Sequence, residues 1–505
     1  MVTATAVEGV TDMIRVSSTQ FTYNYKISLN NAYAEQAKLM EQADGNSIHR
    51  PSDDSVNYAR YLKYGVAESE NLQYQKNVKT AVSWMQNADA AEVLMSDIMS
   101  TFKEKTDAAA NSTNTEADML AIGREMMSEI QQLVSLGNTQ QGDNYVFGGQ
   151  SVSVRPFELS MELADRGLTK TLDDKQSAFF FTNNSAVNKH NDDDLGILRQ
   201  FLVVEYGDAG SEETAYLDTI TGYIYSKDFV EESDSTGKSF LAKMARGEAL
   251  NPQRDAIGKI KVGDPSIAGD YTDGDKFMVS KYFDERGVIK KDGAGNNIYT
   301  ITASNDTSVV LENNLIAGKP LNLKTISQPI VTYTGDEKHI SMVKLNGAVD
   351  PTADTVNSTG QELFGADIFD NRLSGNGRPK ADSGNTEYVA ASGSAMINEM
   401  LTVYAMVNRG DEGQRWLDTD GVTISDKAHA NLVTEEARIG ARNQLYTSVT
   451  EMLDKQNENI TRDLTDVSAT DVAELAVQLM TQQTLYNLSL SMGSRILPQS
   501  LADYL

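Results

Sequence analysis

Few side-chain types carry catalysis, and this chain is short of most of them. It contains no cysteine, so thiolate nucleophiles, disulfides and Cys-ligated zinc or iron–sulfur centres are excluded. Its four histidines, His49, His190, His339 and His429, lie far apart, and no HExxH pair presents two imidazoles on one helix face. No Gly-x-Ser-x-Gly elbow exists to expose a serine nucleophile. Carboxylates are so plentiful, 72 in all, that no glycosidase-like pair stands out. The run Asp192-Asp193-Asp194 lacks the spaced ligands of a calcium loop and reads as a solvated acidic turn. Gly293-Ala294-Gly295 reads as a hairpin turn rather than a phosphate loop, because no helix follows it. The 19 methionines read as adaptable packing. The expectation is a protein with no catalytic, cofactor or metal site.

Charge narrows the partners. Against 44 Lys and Arg the 72 carboxylates leave a formal charge of −28 over 505 residues, which disfavours nucleic acid and anionic membrane surfaces. The length suits about three domains or subdomains. Met1 to Asp12 has neither the basic nor the apolar region of a secretory signal. Leu475 to Ser494 carries no charge at all, yet it holds Gln478, Gln482, Gln483 and Asn487, whose amides are costly in lipid. No membrane insertion is expected, and the charge-free stretch calls for another explanation.

The elements that position these residues fall into three parts. The first is helical. Phe21, Tyr25, Leu29, Ala32 and Leu39 share one side of a helix that Asp44-Gly45-Asn46 breaks. A second helix is expected from Ser52, with Ser52, Asp53 and Asp54 as its cap, to about Ala110. Its expected seam is Leu62, Val66, Val78, Val82, Met85, Leu94, Ile98 and Phe102. Thr115 and Asp118 resemble a capping box opening a third helix, with Met119, Ile122, Met126, Ile130 and Leu133 along it, and Gly137-Asn138 stops it. Asn144 to Phe147 looks like a short strand.

The middle is rich in Gly, Asn, Asp, Ser and Thr, with short alternating runs that predict an antiparallel β domain. Strand candidates are 201–206, 223–225, 277–283, 288–290, 298–302, 308–311, 330–334 and 340–345. From Ala395 the chain is helical again. A long helix is expected over Asp426 to about Leu464, with Ala430, Val433, Ala437, Gly440, Gln444, Leu445, Val449, Leu453, Asn457 and Ile460 near its seam. In the last helix, from about Thr470 to Ile496, Val472, Leu475, Leu479, Tyr486 and Leu490 form one apolar stripe, and Val477, Leu485, Leu488 and Met492 a second. One intramolecular neighbour covers only one face, so this helix is expected to pack on the N-terminal helix and on other copies. The fold class expected is α+β: a long antiparallel helical bundle from both chain ends with a large inserted antiparallel β domain.

Several motifs carry a family resemblance. Arg50-Pro51-Ser52-Asp53-Asp54 follows the first helix. Tyr145-Val146-Phe147-Gly148-Gly149 and Arg155-Pro156-Phe157 stand where the insert begins. Tyr333-Thr334-Gly335-Asp336 and Gly360-Gln361-Glu362-Leu363-Phe364-Gly365 stand toward its end, and the chain closes with Asp503-Tyr504-Leu505. In this order and spacing the chain resembles the bacterial flagellin family, in its hook–filament junction branch. The resemblance covers about 13–157 and 395–505 and rests on scattered motifs within the insert. It implies a structural subunit, exported unfolded by the flagellar type III apparatus, that forms a ring of identical copies at the extracellular hook–filament junction. The partners it implies are hook-associated protein 1 on the hook side, flagellin on the filament side and an export chaperone on the C-terminal helix. It implies a terminal assembly domain of 17–43 with 467–505, helical domain 44–150 with 391–466, outward β domain 151–390, and an extension, 1–16, expected disordered. The assembly interface it implies is Phe21, Tyr25, Leu29, Leu39, Val472, Leu475, Leu479, Leu485, Tyr486, Leu488, Leu490 and Met492. Two other readings stay open: a filament flagellin, and an adhesin or glycan-binding activity carried by the insert.

Overall fold

The computed structural model describes residues 18–182, 199–208, 210–219, 222–231, 237–260, 282–284, 286–303, 311–336, 338–340, 355–364 and 395–496. The extension 1–16, the Asp192–Asp194 run, His190, most of the strand candidates 277–283, 308–311 and 340–345, and the ending Asp503-Tyr504-Leu505 lie outside the described residues.

In chain order the main elements are α1 (Ser18–Glu41), α2 (Ser55–Ala109), α3 (Glu116–Gly137), β1 (Gln140–Gln141), β2 (Asn144–Tyr145), β3 (Phe157–Gly167), β4 (Thr169–Leu172), β5 (Arg199–Tyr206), β6 (Glu213–Leu217), β7 (Tyr223–Ser226), β8 (Gly258–Lys259), β9 (Thr300–Thr302), β10 (Pro320–Leu323), β11 (Thr325–Tyr333), α4 (Ala395–Val407), α5 (Val422–Ser468) and α6 (Val472–Ile496). Short helical segments, among them Asp174–Thr182, Phe240–Arg246 and Gly360–Phe364, fill the connections. Helical ends thus bracket an antiparallel β region, as the sequence pattern expects. The chain divides into two compact units, Met1–Lys79 with Ser448–Leu505, and Thr80–Thr447.

In the first unit α1 and α6 form an antiparallel pair. On α1 the less exposed positions are Tyr25, Leu29, Ala32, Gln36 and Leu39; on α6 they are Leu475, Leu479, Gln482, Tyr486 and Ser489. Both sets step 4-3-4-3, the heptad spacing that keeps a seam facing its partner. In the same unit Gln75 Nε2 donates to the Leu453 carbonyl at 3.3 Å and to Asn71 Oδ1 at 2.9 Å, so the start of α2 lies against the end of α5 through a partly polar seam.

In the second unit α2 and α5 continue with heptad seams. The α2 seam is Ala81, Met85, Ala88, Glu92, Met95, Met99, Phe102, Thr106 and Ala109, all buried. The α5 seam includes Ile424, Ala428, Leu432, Glu435, Ile439 and Tyr446. This corrects the expected seams: Leu94 is 52% exposed and Leu445 54%, and Val433, Leu62 and Val66 also face solvent. Large aliphatics mislead here because the true seam uses alanine, methionine and two glutamates. The α3 capping box is present, with Thr115 and Asp118 exchanging side-chain to backbone hydrogen bonds.

Among the described residues the β region forms a seven-stranded antiparallel sheet, order β8-β7-β6-β5-β10-β9 with β4 also on β5, and a separate ribbon of β3 and β11. Strand β5 pairs β4 through Arg199–Leu202 and β10 through Val204–Tyr206. Leu202 and Val204 enter one core with Leu217, Ile224 and Leu321. Phe201 enters the other, where Phe180, Tyr225 and Phe240 meet it or one another edge-on. Burial on both faces makes Phe201-Leu202-Val203-Val204 read as a continuous apolar run rather than an alternating one. The sequence reading missed β3, β4, β6 and β10, where polar residues stand on exposed or hydrogen-bonded positions, and the two-residue strands β1 and β8.

Buried polar groups join this β region to α4 and to the turn that leads into α5. Asn398 of α4 donates to the Val331 carbonyl at 2.9 Å and accepts from its N–H at 2.8 Å, extending the β11 backbone pattern onto a helix. A five-residue π-helical turn, Leu417–Gly421, carries Asp420 into β4, where it accepts from Thr171 N at 2.7 Å and Lys170 Nζ at 2.8 Å.

Candidate assembly interface

The α1–α6 pair is where the residues expected at an interface gather. Tyr25 Oη donates to the Ser489 carbonyl at 3.0 Å, and Gln482 Nε2 donates to the Ala32 carbonyl at 3.2 Å. That antiparallel register sets Leu39 opposite Leu475, and both are buried. The Tyr33 and Tyr486 rings lie 6.4 Å apart. Phe21 lies on the first turn of α1, its side chain outside the described ones.

The expected first stripe of α6 needs correction. Leu475, Leu479 and Tyr486 sit in the seam, but Val472 and Leu490 turn to solvent, and Gln482 and Ser489 take their places. The Gln482 amide fits there because the facing helix offers the Ala32 carbonyl, and at Ser489 it is the backbone carbonyl that takes the Tyr25 hydroxyl. On the outer stripe Val477, Leu485, Leu488 and Met492 are exposed, as is Met480, with Val477 at 64% and Met480 at 70%. On α1, Tyr23, Ile27 and Met40 are likewise exposed. A charge-free stretch, Leu475 to Ser494, with such an outer face exposes far more contiguous apolar surface than scattered surface residues do.

The Arg50–Asp54 motif forms a clasp beside this pair. Helix α2 starts at Ser55, three residues later than expected, and Asp54 caps it by accepting from Val56 N and Asn57 N. Asp53 instead folds the preceding turn back, accepting from His49 N at 3.1 Å and Arg50 N at 2.9 Å. Burial pushes the Asp53 carboxyl up, but the Arg50 and His49 amides and the Lys38 ammonium together hold it below the usual carboxylate range. Arg50 reaches both carboxylate oxygens of Glu41. The α5–α6 connection closes onto this turn: Ser47 N donates to the Ser468 carbonyl at 2.7 Å and Thr470 N to the Gly45 carbonyl at 3.1 Å. Gly45 has φ +99°, the left-handed conformation that lets the chain leave α1 and enter the clasp.

In the second unit the four motifs at the two ends of the insert come together. Tyr333 Oη donates to the Phe147 carbonyl at 3.2 Å, and Asp336 N donates to the Gly148 carbonyl at 2.9 Å. Thr334 N and Oγ1 donate to the Pro156 and Arg155 carbonyls. The Phe157 ring packs at 5.0 Å from both Tyr333 and Phe364. Gly148 bridges Thr359. Glycines are required where these segments touch: a Cβ on Gly149 would stand 1.7 Å from the Asp336 carbonyl oxygen, and one on Gly360 2.4 Å from the Tyr333 ring. Segments far apart in the chain, Phe147 and Tyr333 among them, therefore form one neck through which the β region leaves the helices and returns. Sequence reasoning quoted these motifs but had no means of pairing them.

Among the described residues no group of His, Asp and Glu could hold a metal ion, and no helix is long and apolar enough to cross a membrane.

Residues 422–505 match the family model for the bacterial flagellin C-terminal helical region. Flagellar hook-associated protein 3 of Salmonella typhimurium is 27% identical over 144 residues, which is 28% of this chain and 45% of that protein. The Escherichia coli protein of the same name is 26% identical over 143 residues, again 28% and 45%. The chain's match thus spans somewhat less than half the length of these relatives. Among solved structures, a putative flagellar hook-associated protein from Vibrio parahaemolyticus aligns with TM-score 0.39 and 10% identity, covering 83% of this chain and 100% of that one. The flagellar junction protein FlgL from Legionella pneumophila aligns with TM-score 0.29 and 9% identity, covering 77% and 99%.

Proposed function

We propose that this chain, whose C-terminal region belongs to the flagellin family, is a hook-associated structural subunit of the bacterial flagellum, forming a ring between hook and filament. It acts by assembly rather than by chemistry. The observation that carries this reading is the charge-free outer stripe of α6, Val477, Leu485, Leu488 and Met492, left uncovered while the opposite stripe is spent on α1. Burial of that stripe against neighbouring copies gives roughly 1.5–3 kcal/mol per large apolar side chain removed from water. The neighbours are further copies of the chain, hook-associated protein 1 on one side and flagellin on the other. A dedicated export chaperone shields α6 before assembly. The β region, tied to the helices at its neck and through α4, faces outward.

Gene deletion tests this. The expected result is cells that build hooks, carry no filaments and release flagellin into the medium, with filaments restored by the intact gene. Hooks bearing normal filaments in the deletion strain would overturn the junction role. Loss of flagellin itself from otherwise complete junctions would assign the chain to the filament.

A further inference from the structure

Glu92 stands at a seam position of α2 and Glu435 at a seam position of α5, both buried in the second unit. A heptad seam is the least favourable place for carboxylates, because charge there is separated from water by both helices. Neither Glu92 oxygen makes a hydrogen bond of normal geometry among the described residues, and Ser358 is the hydroxyl that bears on it. A third carboxylate, Glu362, arrives from the short helix Gly360–Phe364 that forms the return side of the neck.

The groups facing Glu92 come from three elements. From α5 come Glu435 and Arg438, with Arg442 acting on Glu435. From the Gly360–Phe364 helix comes Glu362, which Arg438 pairs at 2.6 Å and His339 approaches at 3.4 Å. From its own helix Asp89 lies one turn away. Arg438 also pairs Glu435. One guanidinium therefore serves two carboxylates and has little left for a third. The return segment is otherwise seated by Asn431 Nδ2, which donates to the Glu362 and Leu363 carbonyls at 2.9 and 2.8 Å, and by the buried Leu363 and Phe364.

We propose that Glu92, with Glu435, Glu362 and Arg438, is a proton-dependent latch that seats the return segment 355–364 on the α2–α5 pair. With Glu92 protonated, Arg438 answers two carboxylates and the segment stays down. Loss of its proton places a third negative charge against Glu435 and Glu362, with Arg438 already shared by both, and the segment lifts so that water reaches the carboxylate. The latch couples proton concentration to the neck through which the β region is attached. Burial, opposed by Ser358 and reinforced by Glu435, pushes the Glu92 carboxyl up to about 8, so the change falls in the range from neutral to mildly alkaline.

The test is hydrogen exchange of the full-length chain between pH 6.5 and 8.5, corrected for the intrinsic rate, comparing peptides covering 355–364 with peptides covering β5. An opened state with an ordinary carboxylate raises the opening equilibrium of 355–364 by about 20-fold over that range, with β5 unchanged. Glu92→Gln, the neutral isostere of the protonated acid, is expected to remove most of the rise, leaving only the smaller share of Glu435, whose carboxyl burial pushes up to about 7. Glu435→Gln, which takes away a like charge that raises Glu92, is expected to shrink the rise and end it at lower pH without removing it. A parallel rise in β5, no rise in 355–364, or the same rise in Glu92→Gln would each overturn the latch.

Discussion

Arg166 of β3 places Nη1 2.6 Å from Oε1 of Glu399 on α4, with both side chains sealed from solvent. The guanidinium also donates to Thr402 Oγ1 at 3.3 Å and to the Arg286 carbonyl at 3.1 Å. A charge pair so enclosed costs much desolvation and is retained where it selects one geometry. Here it holds the β3–β11 ribbon against a helix, beside the Asn398 pairing to β11.

Arg166→Ala is expected to lower the stability of the second unit by about 3–5 kcal/mol, because it strands the Glu399 carboxylate in the interior. Replacing both partners with leucine is expected to cost less than the single change. Urea unfolding followed by far-UV dichroism measures both, and equal losses in the single and double variants would show that the pair does not act as a unit.

Glu129 of α3 is another buried carboxylate, pushed up to about 7 by burial, against the pull of Lys105 and with Glu125 adding to the push. The native state keeps a proton that the unfolded chain has already released at neutral pH. Stability from this group is therefore complete below about pH 4.5 and is lost as pH rises through 7. The melting temperature of Glu129→Gln is expected to gain on the wild type between pH 5 and pH 8, and a pH-independent difference would refute the assignment.

Two glycines separate conformational cost from collision. Gly45→Ala meets nothing within 4 Å and pays only for its positive φ, about 1 kcal/mol. Gly149→Ala, at φ +67°, meets the Asp336 carbonyl oxygen as well, so the neck backbone must shift. A loss at least 2-fold larger is expected for Gly149→Ala in chemical unfolding.

Leu488→Asp should leave the isolated chain as stable as the wild type to within about 0.5 kcal/mol, because the residue is exposed on α6. Under the proposed function it should nevertheless abolish filament attachment when it replaces the wild type. Leu475→Ala should instead destabilise the α1–α6 pair, since Leu475 is buried in the seam. Full motility with Leu488→Asp would remove the outer stripe from the interface.

The elements most legible in the sequence were those with local causes. The break at Gly45, the Thr115–Asp118 box, the stop at Gly137 and the extent of α6 follow from caps, breakers and periodicity, which act over a few residues. The seam of α2 was not legible beyond Val78, Met85 and Phe102. Its other members are alanine, methionine, threonine and Glu92, and their burial is decided by α5, more than three hundred residues away.

The sequence by itself determined where charge is absent and where the chain turns from helix to strand and back. It determined also that α6 has two apolar faces, since that follows from residue types on a fixed 100° wheel. Only the tertiary structure decided which of those faces is spent on α1. It also decided that Tyr145–Gly149, Arg155–Phe157, Tyr333–Asp336 and Gly360–Phe364 meet in one neck, and that three carboxylates converge on Arg438. These are pairings between distant segments. Each depends on backbone register and on which polar group finds a partner when water is removed, and no local pattern carries that information.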